Sequence, residues 1–127
     1  MSLSRAVLWI DHHNAQVLSF SDEQSEARQI YAHAHYTRQH GSSVRTEHEF
    51  FGEVCDALAS AREVLVTGSH QAQADFRHYA DKHRPAVAPR IVGWQTVDHP
   101  SPAQLLAQAR GFFVKHETLA HSPTTPA

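Results

Sequence analysis

Two aspartates, one serine and a basic stretch studded with histidine carry most of the chemical options in this chain. Asp11 and Asp98 each follow directly on a strand-like run, in "AVLWID" and "IVGWQTVD". Ligands of an open α/β sheet tend to bind beyond the carboxyl ends of its strands, so the two carboxylates could share a magnesium ion there. Ser69, after "EVLVTG", stands on the same side, where a helix N-terminus could accept an anion. One reading is therefore a metal-dependent hydrolase of nucleic acid acting through Asp11 and Asp98. The same residues have plainer roles, Asp11 opening a turn and Asp98 leading into a helix cap. Where a two-metal nuclease would need a further carboxylate, the fourth strand ends in Thr67-Gly68-Ser69.

The stretch "HAHYTRQHGSSVR", residues 33–45, holds three histidines, two arginines and no acid. His33 and His35 stand two apart, which on a strand puts both on one face, and with His40 or His48 they could ligate a metal. Structural zinc usually recruits paired cysteines, and the single cysteine, Cys55, falls on the apolar stripe of a helix. Exposed imidazoles without a metal are the alternative. Arg38 and Arg45 flank Gly41-Ser42-Ser43, with Tyr36 nearby. Arginine binds phosphate bidentately, tyrosine stacks on a base, and glycine permits close backbone approach. The stretch thus reads either as an RNA-contacting loop, with His35 and His40 assisting, or as a solvated connection.

Charge sharpens that choice. Net charge is −2, unlike a generally basic nucleic-acid binder. Yet between Glu26 and Glu47 there is no Asp or Glu, while Arg28, Arg38 and Arg45 lie there. Eight Lys/Arg against thirteen Asp/Glu make up the rest, so one cationic segment rides on an acidic body. Other chemistries find less support. Ser69 beside His70 lacks a Gly-x-Ser-x-Gly elbow, and no Gly-x-x-x-x-Gly-Lys or Gly-x-Gly-x-x-Gly pattern occurs, so no cofactor is implied.

The elements that must position these residues are legible as hydrophobic patterns. At 127 residues and 41% apolar composition, the chain makes one domain with a core of its own. "AVLWI", "AQVLSF" and "EARQIYAHA" read as three strands closely spaced enough for an antiparallel meander. A helix follows, with Thr46 and Glu49 as a capping box and Phe50, Phe51, Val54, Cys55 and Leu58 as its stripe. "EVLVT" is a buried strand, and Ser69 caps a second helix that Pro85 stops. "RIVGWQTV" is the fifth strand. Ser101, Pro102 and Gln104 then open a third helix with Leu105, Leu106, Ala109, Phe112 and Phe113 on its apolar side. The order β-β-β-α-β-α-β-α predicts a ribonuclease H-like α/β fold, a mixed sheet with helices on both faces. The domain is expected over residues 1–116, with residues 117–127 a disordered tail. No stretch approaches a membrane span or a signal-peptide layout, and one cysteine permits no internal disulfide, which points to a cytoplasmic protein.

The ordered motifs "VLWIDHHNAQVLSF", "EHEFFGEVCDAL", "EVLVTGSHQAQADFRHY" and "IVGWQTVDHPSPAQLLAQARGFF" resemble a family of bacterial translational machinery proteins. That family is similar to the central domain of the archaeo-eukaryotic class-1 release factor and of the ribosome-rescue protein Pelota. The resemblance covers residues 5 to 116. In the release factor, the loop between the third strand and the first helix carries Gly-Gly-Gln and promotes hydrolysis of peptidyl-tRNA. Residues 33–45 stand in that position, but Gly41 is followed by Ser42 and Ser43, and Gln39 precedes it. The resemblance therefore implies a module that contacts the ribosome or tRNA without hydrolysing the ester, as Pelota's equivalent domain does. A third reading is a homo-oligomeric interaction module with no nucleic-acid partner.

Overall fold

A computed structural model describes residues 4–21, 23–32 and 42–120, with residues 42–46 and 118–120 described by their backbone alone. Strands β1 (Arg5–Ile10), β2 (Asn14–Phe20) and β3 (Ser25–Tyr31) precede helix α1 (Ser42–Leu58). Strand β4 (Glu63–Gly68), helix α2 (His70–His83), strand β5 (Ile91–Thr96) and helix α3 (Pro102–Ala120) complete the order, with a 3-10 turn at Ala88–Arg90. The sheet runs β3-β2-β1-β4-β5. Its first three strands form the antiparallel meander, while β4 lies parallel to both β1 and β5. This is the mixed ribonuclease H-like sheet that the pattern of elements predicts.

Alternation along the strands sorts the core into two layers. Ala6, Leu8 and Ile10 of β1, with Val64 and Val66 of β4, face Phe50, Phe51, Val54, Cys55 and Leu58 of α1 and Phe76 and Ala80 of α2. Val7 and Trp9, with Leu18, Phe20 and Leu65, face Leu105, Ala109 and Phe113 of α3. The apolar stripes read from the helices are the faces they bury. Gly93 sits where a larger residue on β5 would run into the Phe112 ring. Arg5 clamps the far end of α3: it pairs with Glu63 (3.2 Å) and Glu117 (2.8 Å) and lies over the Phe113 ring.

Helix termini show where local signals suffice. Ser101 and Gln104 form the reciprocal box, the Ser101 N–H donating to Gln104 Oε1 (2.9 Å) and the Gln104 N–H to Ser101 Oγ (3.2 Å). Ser69 Oγ accepts from the Ala72 N–H (3.3 Å) as the cap of α2, and the helix stops at His83 before Pro85. Two boundaries differ from expectation. Helix α1 begins at Ser42, a full turn before Thr46, so Thr46 lies inside the helix and Arg45 belongs to α1 instead of to the preceding loop. Helix α3 continues to Ala120, past the boundary expected at residue 116. Among the described residues, no helix is long and apolar enough to cross a membrane.

The tightest point of the fold is the pairing of Ile10 with Gly68 at the end of the parallel β1–β4 ladder. Gly68 adopts φ +134°, and a side chain there would run into the Ile10 backbone. Glycine meets both demands, since it lacks the Cβ that forbids this conformation and this approach. Gly68→Ala is expected to cost roughly 3 kcal/mol, combining strain with overpacking against backbone. A loss below about 1 kcal/mol in a urea titration would show that the strand ends can separate freely.

Cys55 gives a second test. It is wholly buried between α1 and the sheet, and burial pushes its thiol up from 9.0 to about 11. The folded state thus holds the proton more tightly than the unfolded state. Its contribution to stability is fully present below about pH 9 and is lost as pH rises toward 11. Over that window wild type should lose on the order of 2 kcal/mol more than Cys55→Ala. Equal alkaline slopes in denaturant melts of the two proteins would refute this.

Candidate functional site

The carboxyl ends of β1, β4 and β5 converge, as the topology requires, and are stitched together there. The Ser69 N–H donates to the Ile10 carbonyl (3.2 Å) and the Val97 N–H to the Gly68 carbonyl (3.2 Å). Gln73, buried on α2, donates from Nε2 to the Gly68 carbonyl (2.9 Å) and to Thr96 Oγ1 (3.3 Å). Thr67 is fully buried and donates its hydroxyl to the Leu8 carbonyl (2.8 Å). Buried polar groups must find partners, and here they find them within the crevice itself.

Of the three residues placed in that crevice from sequence, Asp11 and Ser69 take structural roles there with their side chains. Asp11 Oδ1 accepts from the His13 N–H (2.7 Å) and the Asn14 N–H (2.8 Å), closing the turn between β1 and β2. Ser69 is occupied as the α2 cap. At Asp98 the backbone carbonyl accepts from Trp9 Nε1 (3.0 Å); the neighbouring His99 ring meets Trp9 edge-on at 4.3 Å. Among the described residues, no group of three or more potential metal ligands includes Asp11 or Asp98. The loop residues His33, His35, Tyr36, Arg38, His40 and Gly41 lie outside the described residues, as does the side chain of Arg45. The strand that would carry His33 and His35 on one face ends at Tyr31.

A different constellation stands at the rim. His12 in the β1–β2 turn, Glu47 on α1 and Asp75 on α2 bring one potential ligand atom each to within 4.8 Å of one another. His12 Nε2 and Asp75 Oδ2 are 3.0 Å apart. The other Asp75 oxygen accepts from Gln71 Nε2 (3.0 Å), one turn earlier on the same helix. From sequence, His12 reads more readily as a turn residue than as a ligand. No local spacing joins it to Glu47 and Asp75; the topology does, by laying α1 and α2 side by side on one sheet face. Tilted rings also join the two helices, Tyr79 of α2 lying 5.3 Å from His48 and 5.6 Å from Phe51 of α1.

No protein-family model matches the chain, and no curated protein matches it in sequence. Solved structures do resemble it. Pelota from Archaeoglobus fulgidus is similar over 91% of this chain and 34% of its own, with 21% identity and a TM-score of 0.60. An archaeal translation termination factor is similar over 94% of this chain and 42% of its own, with 15% identity and a TM-score of 0.57. Pelota from Thermoplasma acidophilum has 17% identity and the same TM-score, over 94% of this chain and 40% of its own. The chain thus spans less than half the length of each of these proteins. At such identities the likeness is one of architecture. The chain shares the fold of one part of Pelota and of the archaeal termination factor.

Proposed function

We propose that this chain is a translation-associated module that contacts ribosomal RNA or tRNA through residues 33–45 and does not hydrolyse peptidyl-tRNA. The observation that carries this reading is the shared fold with Pelota and a termination factor over more than nine-tenths of the chain. The connection from β3 to α1 stands, by resemblance, where the release factor holds its catalytic loop. Here it contains Arg38, three histidines and no acid, which suits contact with a polyanion.

Arg38 and Arg45 supply the phosphate contacts, with Tyr36, His35, His40 and Gly41 adding stacking, polar contact and close approach. The start of α1 at Ser42 sets these arginines in different settings, Arg38 before the helix and Arg45 in its second turn. The missing Gly-Gly-Gln removes the glutamine on which ester hydrolysis depends in the release factor. Such a role places the protein in the cytoplasm. The magnesium-dependent reading through Asp11 and Asp98 gains no support, since Asp11 is engaged in its turn.

Co-sedimentation with ribosomes tests the proposal. Wild type should pellet with ribosomes at low salt, and Arg38→Ala with Arg45→Ala should remove most of that binding while leaving the melting temperature nearly unchanged. Two neutralised phosphates give a log–log salt slope of about −1.5 to −2. Failure of wild type to pellet at low salt, or a double variant that pellets equally well, would sink it. Release of peptide from peptidyl-tRNA above background would overturn the non-hydrolytic half.

A further inference from the structure

We propose that His12, Glu47 and Asp75 form a binding site for a divalent cation of the zinc class. The three ligand atoms come from three separate elements, the β1–β2 turn, α1 and α2, and lie within 4.8 Å of one another. A tetrahedral zinc ion with bonds of about 2.0–2.1 Å needs ligand atoms about 3.3 Å apart. The His12–Asp75 pair, hydrogen-bonded at 3.0 Å, has to open by only about 0.3 Å to reach that edge. A rotamer adjustment of Glu47, on a half-buried side chain at the helix surface, closes the remainder.

The supports of the ligands fit this use. Both hydrogen bonds to Asp11 Oδ1 fix the turn that presents His12. Gln71 holds one Asp75 oxygen and leaves the other directed at the imidazole, as outer partners do around metal-bound carboxylates. Charge points the same way. The two carboxylates, Glu47 and Asp75, bring negative charge that a dication offsets.

The donor set selects the metal. One imidazole nitrogen with two carboxylate oxygens suits zinc, cobalt or nickel, while magnesium prefers oxygen alone. The single thiol, Cys55, is buried in the core and is not among these ligands. Three protein ligands leave a coordination position for water or an outside ligand.

Calorimetric titration of the full chain with Zn2+, repeated with Mg2+, tests the site. With twelve histidines the chain offers scattered weak zinc binding, so the decisive variants are Glu47→Gln and Asp75→Asn, which keep every imidazole. Wild type should show one saturable Zn2+ site, weakened about tenfold or more in each of these variants and in His12→Ala. Saturating Zn2+ should raise the melting temperature of wild type clearly more than that of the variants, with all four proteins melting alike in chelator. Absence of a saturable site, equal zinc affinity across the variants, or Mg2+ binding as tight as Zn2+ would overturn the assignment.

Discussion

Every residue from Ala6 to Ile10 is buried, and a strand buried on both faces obliges the rest of the chain to supply cover on both sides. Each large side chain of β1 removed from water contributes about 1.5–3 kcal/mol, but only if both layers are complete. That requirement accounts for the arrangement of the helices, α1 and α2 on the face of Leu8 and Ile10, α3 on the face of Val7 and Trp9. It also fixes where the chain can present polar side chains. With the faces sealed, they gather at the strand ends, and the exit of β1 into the Asp11 turn becomes the point where α1, α2 and the meander meet.

At that point two kinds of polar group are separated. Deep in the crevice, Thr67, Ser69 and Gln73 spend their hydrogen bonds on the backbone of β1 and β4, and Gln73 adds one to the Thr96 hydroxyl of β5. They hold the parallel strands together and have little left for a ligand. At the rim, His12, Glu47 and Asp75 are placed by elements whose anchoring lies elsewhere, in the phenylalanines of α1 and α2. There His12 and Asp75 bond to each other, and Asp75 also to Gln71, instead of to the strand backbone.

The strands and helix stripes were legible because they rest on hydrophobic patterns that burial enforces. Strand β3 was the faintest of the five for the same reason. As an edge strand it buries Ile30 and exposes most of its other residues, so little pattern is required of it. The start of α1 misled because Ser42, Ser43 and Thr46 are all competent caps within one short segment, and local chemistry does not choose among them. The end of α3 was hidden because its last turns are polar; Arg5, from the other end of the chain, bonds to Glu117 there. Asp11, Ser69 and Asp98 follow the ends of β1, β4 and β5, yet what such residues do depends on which backbone groups lie within reach. The rim cluster had no sequence signal at all, since its members meet only through the fold.

The register of β1 against β4 also dictates an order of events in folding. Arg5 and Glu63 are 58 residues apart in the chain, whereas β1, β2 and β3 follow one another through short turns. The meander closes small loops and forms locally, but the parallel seam must close a long one before its contacts repay the lost chain entropy. Until it does, the edge of β1 that β4 will occupy stays open, an apolar strand with unpaired amides. A nascent chain therefore carries its most adhesive surface from the emergence of β1 until β4 arrives.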